Sequence, residues 1–225
     1  MAWLRVPETR AARLTPGASV AALPSFVQQI RLLTASTGFL LVSLIGFTAA
    51  VARTGAVFNV VPLMVKERLD LAPDQIGLGL SLVSLGALVL AYPSGVLVDY
   101  FGRKAVIVPA TLTSGVAAAL FALTPSFGWF LFACGVWAFA LGVASDAPGA
   151  YAADTAPAGM NAAVMSTYRM LSDAGYVLGP LALGIIADGF GAPSALAVAG
   201  SLLVLSALLF LRFAPEGYRP RHTLE

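Results

Sequence analysis

The chain has 225 residues, of which 59% are hydrophobic and only 11% charged, with 13 Lys/Arg against 11 Asp/Glu. Soluble domains carry about 25% charged residues, so a globule this poor in charge could not clothe its surface, and a mean hydropathy of +0.87 makes lipid the natural solvent. A net charge of +2 is too small and dilute for a nucleic-acid surface, and one cysteine (Cys134) with one histidine (His222) leaves no disulfide, no metal cluster and no cofactor chemistry to expect.

Residues 1–31, with Pro7, Pro16, Gly17 and Pro24, read as a tail or linker. Arg5, Glu8, Arg10 and Arg13 have no apolar core behind them, so this stretch does not read as a cleavable signal peptide. From residue 32 to 214 long apolar stretches alternate with short polar ones. A bilayer core of about 30 Å takes about 20 helical residues to cross, and six stretches meet that length: 34–64, 75–98, 104–123, 128–151, 162–187 and 193–213. Pro73-Asp74, Arg103-Lys104, Thr124-Pro125-Ser126, the Pro157 to Asn161 stretch and the Asp188 to Pro193 stretch punctuate them. A lipid-exposed backbone must bond internally, so the runs are predicted as helices in an all-α membrane protein. Residues 215–225 read as a C-terminal tail.

Six crossings put both tails on one side. Arg5, Arg10, Arg13 and Arg31, the Arg103-Lys104 loop, and Arg212, Arg219 and Arg221 all fall there, which predicts that side to be the cytoplasm. The expected location is the cytoplasmic (inner) membrane.

The second span ends Gly95-Val96-Leu97-Val98-Asp99-Tyr100-Phe101-Gly102, and the fifth ends Gly184-Ile185-Ile186-Ala187-Asp188-Gly189-Phe190-Gly191. Both read G-x-x-x-D-x-F-G, offset by 89 residues (184 − 95) with three crossings between them. An odd number of crossings inverts the copy, so the pattern predicts two inverted three-helix repeats, a construction common in secondary transporters.

These residues resemble the major facilitator superfamily. Its loop signature, G-x-L-x-D-R-x-G-R-[RK], is similar to Gly95, Leu97, Asp99, Gly102, Arg103 and Lys104 here, with Tyr100 where an arginine is usual. Gly175, Gly179, Pro180 and Gly184 are similar to the glycine-proline element of the family's antiporters, and Pro7-Glu8-Thr9-Arg10 to the stretch that follows the sixth helix. The resemblance implies half of a twelve-helix fold, the C-terminal half with its linker. One half supplies one wall of a central cavity, so it also implies a homodimer, a separate partner half or a truncated product.

Ionisable side chains within membrane helices cost about 2.5–3.5 kcal/mol on insertion scales and need a partner or an aqueous cavity. Arg53, in the first span, is the candidate for an anionic group or a coupling carboxylate, since the resemblance puts the first helix on the cavity; the alternative is a structural pair with Asp146 or Asp173. Asn59 lies about 240° around an α-helix from Arg53, so the two share a face only if the helix is distorted near Gly55. Asp146, about 40° from Gly142, is predicted to face protein beside a seam of Gly135, Gly142 and Gly149. It is either a packed acid or a group whose raised pKa couples proton flow.

Arg169 and Asp173, four apart, are placed to pair on one helix face. With Asp99, Arg103 and Asp154 they make a candidate cluster that, by the resemblance, locks the cytoplasmic side; Lys104 is either part of it or an anchor at lipid phosphates. Gly95, Gly102, Gly175, Gly179, Pro180 and Gly184 are the candidates for helix packing and kinking. The function predicted is a secondary transporter for a small organic solute, with protons as the coupling ion for efflux. The alternative is a membrane module that binds or regulates a partner without transport. With no His-acid array and no G-x-S-x-G, an enzyme is not expected.

Overall fold

The computed structural model describes residues 26–157 and 159–215; Pro7-Glu8-Thr9-Arg10 and the C-terminal tail beyond Pro215 lie outside them. A first helix, α1 (Phe26–Ala35), begins inside the stretch expected to be linker. Ser36 then caps α2 (Thr37–Ala50) by accepting the Phe39 N–H. The first span continues as a π-helical segment (Val51–Val60) and α3 (Val61–Leu69). Asp70 ends it in a left-handed conformation, φ 48°. Lys66 donates to this carboxylate at 2.9 Å, and that hydrogen bond and charge hold the Asp70 carboxyl below the usual aspartate range.

The second span is α4 (Pro73–Phe101), with Gln75 accepting the Ala72 N–H at its start. The third is α5 (Arg103–Ala122), and the fourth is split into α6 (Phe127–Ala144) and α7 (Ala147–Asp154). Helices α8 (Asn161–Phe190) and α9 (Ala192–Phe213) complete the set. Six helical stretches, Thr37–Leu69, Pro73–Phe101, Arg103–Ala122, Phe127–Asp154, Asn161–Phe190 and Ala192–Phe213, are long and apolar enough to cross a membrane. Each matches one predicted run within a few residues, and no strand occurs among the described residues.

Helix neighbours follow the predicted repeat. Span one packs most closely on span five and then six, span four on span two and then three, and span three on span six. Exchanging one with four, two with five and three with six maps this set onto itself. An extended contact between spans one and five therefore has its counterpart between four and two.

The buried core divides into two clusters. One joins the π-helical segment and α3 to Phe121, Phe130, Trp137, Leu183 and Leu203. The other joins α2 to Ile107, Tyr151, Val164 and Phe210, at the end of the bundle where α5 begins and α9 ends. Between spans one and six a hydroxyl pair, Thr48 with Ser206 at 3.0 Å, satisfies two buried polar groups. That end, which also carries the links 102–103 and 155–160, is called the terminal face below.

Glycines set the closest approach. A Cβ on Gly175 would stand 2.5 Å from the Phe47 carbonyl oxygen, and one on Gly179 2.8 Å from that of Val51. A Cβ on Gly55 would meet the Gly179 oxygen at 2.5 Å. The backbones of spans one and five therefore touch over two helical turns, as small residues permit. Gly142 plays the matching part between spans four and two, where a Cβ would lie 2.5 Å from the Leu90 Cβ.

Gly95 and Gly184 face open space instead. Gly184 lies five residues beyond Gly179, about 140° around the helix, and so leaves the packed stripe. Gly135 is also open and Gly149 makes only ordinary contacts, so the expected seam of three is reduced to Gly142. Helix α8 runs unbroken through Pro180 to Phe190.

Candidate functional site

Among the described residues, two of the six spans depart from regular α-helix within their length, and both departures carry an ionisable residue. The first is the π-helical segment of span one, ten residues long, which contains Arg53. Such segments are rare and usually a single turn, and they occur often at functional sites. The second is the break between α6 and α7. Ser145 sits at φ 32°, ψ −122°, a left-handed conformation that non-glycine residues rarely adopt, and Asp146 follows at φ −89°.

Subtracting the repeat offset of 89 residues from Ser145 gives residue 56, inside the π-helical segment. The two irregular stretches thus hold equivalent positions in the two repeats. In transporters built from repeats, irregular helix segments in corresponding positions of the two copies are a pointer to the binding site.

The π-helical winding accounts for what surrounds Arg53. Its i→i+5 bonding stacks residues five apart, which on an α-helix would stand about 140° apart. The Arg53 guanidinium accordingly lies over the ring of Phe58, 6.0 Å from its centroid. It forms no ion pair with Asp146 or Asp173, the partners considered from the sequence. Thr54, next to it, donates to the Ala50 carbonyl at 2.9 Å and to the Tyr176 carbonyl at 3.3 Å, joining this segment to span five.

Asn59 is exposed, as is Asp146. The expectation that Asp146 faces protein assumed an unbroken helix from Gly142; the turn at Ser145 re-aims the chain. Asp146 lies within electrostatic reach of Tyr168 on span five, as does Arg169. A Cβ on Gly46 would stand 2.5 Å from the Ser172 Oγ and 2.9 Å from the Tyr168 hydroxyl, so this glycine admits both polar groups between spans one and five.

At the terminal face Arg103 pairs with the Asp154 carboxylate and donates to the Ala150 carbonyl oxygen. Arg103 therefore holds the last turn of α7 to the start of α5. Asp99 is exposed three residues before Gly102. Arg169 and Asp173 are both exposed and make no ion pair with each other, unlike Arg103 with Asp154 and Lys66 with Asp70. Lys104, read from the sequence either as part of the gate cluster or as an anchor at lipid phosphates, donates to the Ala214 carbonyl at 2.8 Å.

Sequence reasoning did not single out Phe58, Ser145 or Tyr151. Phe58 becomes a neighbour of Arg53 only through the π-helical winding. Ser145 carried no glycine or proline to betray a break, although Pro148 shortly after it is a weak signal. Tyr151 lies three residues before Asp154 and could have been found as part of that helix face.

Helices α4 and α8 stand apart from the others in how little of them is covered. The buried residues of α4 are Gly79, Val83 and Ser94, and those of α8 are Val164, Gly175, Gly179 and Leu183. Exposed Leu85, Leu88, Val89, Tyr92, Val177, Leu181 and Ile185 crowd their outer sides.

A family model described as the Major Facilitator Superfamily matches residues 18–225. The chain belongs to this superfamily. Superfamily members are transporters, not enzymes, and the chain carries the six spans of half the fold.

Among curated relatives, the chain is 29% identical over 174 residues to the "Multi-drug resistance efflux pump PmrA" of Streptococcus pneumoniae, in two strains; the match covers 74% of this chain and 43% of the pump. A PmrA homolog from Lactococcus lactis subsp. lactis is 28% identical over 144 residues, covering 64% of this chain and 35% of that protein. The chain thus aligns with less than half the length of the curated relatives it matches.

Proposed function

We propose that this chain forms one six-helix wall of a secondary transporter that works by alternating access, completed by a second copy of itself or by a separate half. The solute is a small organic molecule moved outwards in exchange for protons, and both ends of the chain face the cytoplasm. The observation that carries this reading is that helix irregularities fall at equivalent repeat positions, a π-helical segment bearing Arg53 and a break bearing Asp146. Arg53 would hold an anionic group, or a carboxylate that trades protons. Asp146, exposed beside a broken helix, would exchange protons with a water-filled cavity. Asn59 would add a polar contact on the same segment. Asp99, Arg103, Lys104, Asp154, Arg169 and Asp173 would form the cytoplasmic gate. The bare sides of α4 and α8, with open glycines at Gly95 and Gly184, favour a missing half as their cover. The relatives named as multi-drug efflux pumps support an efflux direction and a drug-like solute class.

The test is ethidium flux in vesicles reconstituted with the chain and driven by a pH gradient. Flux should follow the gradient and fall at least tenfold in Arg53→Ala and in Asp146→Asn, with the unfolding temperature preserved. The mass of the purified particle should be about twice 23.1 kDa. Gradient-driven flux that both variants leave intact would remove these two residues from the mechanism, and a strict monomer with no flux would refute self-sufficient transport.

A further inference from the structure

Helix α7 is gripped at its terminal-face end from two sides. From one side, Arg103 holds the Ala150 carbonyl and the Asp154 carboxylate. From the other, the chain just beyond span six is tied down against it. The Tyr151 hydroxyl donates to the Pro215 carbonyl oxygen at 2.6 Å, and its ring meets Phe210 edge-on with centroids 5.0 Å apart. Lys104 donates to the neighbouring Ala214 oxygen at 2.8 Å. That ammonium sits where α9 ends and its last carbonyls have no helical N–H to accept, a placement that the helix dipole favours. Gly38 makes room for the knot, since a Cβ there would stand 3.2 Å from the Tyr151 Oη and 3.4 Å from the Pro215 ring.

Two successive residues thus bind different things, Arg103 the last turn of α7 and Lys104 the strap at 214–215. Tyr151 joins the two. At its other end, after the break at Ser145, α7 is packed through buried Ala147 but has no side-chain hydrogen bond or ion pair among the described residues to match these.

We propose that α7 is a short lever hinged at Ser145, and that the strap Ala214–Pro215, fastened by Tyr151 and Lys104, latches it against Arg103. Tyr151 and Lys104 are positioning residues: they set how readily the Arg103–Asp154 pair parts, and so how often the terminal face opens. The consequence rests on the gate reading given above, but the latch can be tested without transport.

A cysteine is placed at Ser145 in a Cys134→Ala background, in oriented vesicles containing the full chain. Its rate of labelling by a membrane-impermeant maleimide is measured from each face. Tyr151→Phe, which loses one neutral hydrogen bond, should speed labelling from the terminal face about 2- to 13-fold, and Lys104→Met, which loses a charged donor, by at least about 10-fold. Labelling from the opposite face should stay level or slow. Lys104→Arg, which keeps the donor, should restore the original rate. Equal acceleration from both faces would reduce the strap to a stability contact, and no acceleration would remove it altogether. If Tyr151→Phe fails to fold, Lys104→Met and its arginine rescue decide the matter alone. Labelling that behaves as described beside flux insensitive to Arg53→Ala would sink the solute-site reading and leave the latch standing.

Discussion

Gly102 and Gly191 end their helices in the same backbone conformation, φ 87°, ψ 161° and φ 85°, ψ 154°. In each the glycine N–H returns to the carbonyl four residues back, that of Val98 or of Ala187. The two are separated by the offset of the G-x-x-x-D-x-F-G ending, so the repeat is one of backbone geometry as well as of letters. Only glycine adopts such φ values at little cost, which is why these letters survive in both copies while Leu97 and Ile186 differ.

Close backbone contact between spans one and five predicts a steep cost for the smallest enlargement there. Gly179→Ala puts a methyl 2.8 Å from the Val51 oxygen and 2.9 Å from its Cα, and backbone cannot swing away as a side chain can. We expect a loss of about 1–3 kcal/mol, typical of overpacking. Gly184→Ala, in open space on the same helix, should be neutral or stabilising by up to about 1 kcal/mol. Thermal unfolding followed by a thiol-reactive dye at buried Cys134 compares them, and equal midpoints would contradict the packing.

The strained turn at Ser145 predicts the opposite sign. Ser145→Gly should raise stability by about 1 kcal/mol, because a residue held in a sparsely populated backbone region costs about 1–3 kcal/mol. Ser145→Val, branched at Cβ, should lower it. The same dye measurement checks both, and a glycine variant less stable than the parent would show that the turn carries no strain.

The ring beneath Arg53 should matter in proportion to its π face. A cation–π contact is worth about 0.5–1 kcal/mol when exposed and about 2 when desolvated. Phe58→Leu combined with Arg53→Met in a double-mutant cycle should therefore give a coupling of at least about 0.5 kcal/mol. Replacing Phe139, exposed on span four, should give none with Arg53→Met. A vanishing Arg53–Phe58 coupling would mean that the winding places them together without consequence.

Much of the architecture was legible before any coordinates. The apolar runs specified six helices because lipid leaves the backbone no other partner, and Gly95 to Gly102 against Gly184 to Gly191 specified the repeat. The site was legible only in part. Arg53 and Asp146 stand out because charge is expensive within a bilayer, and Arg103 and Asp154 because each borders a short link between spans. Arg103 does meet Asp154, whereas the surroundings of Arg53 and Asp146 differ from those of a regular helix. An α-helical wheel keeps Phe58 away from Arg53 and turns Asp146 inwards beside Gly142, whereas a π-helical segment and a broken turn do neither.

By itself, then, the order of residues determined the solvent, the number of crossings and the inverted duplication, since these follow from hydropathy and local spacing. Tertiary structure alone decided where the helices leave regular winding, which glycines touch a neighbouring backbone, and that Lys104 and Tyr151 fasten the chain at Ala214 and Pro215. Those outcomes depend on contacts between segments far apart along the chain, where a carbonyl with no side chain to mark it serves as the acceptor.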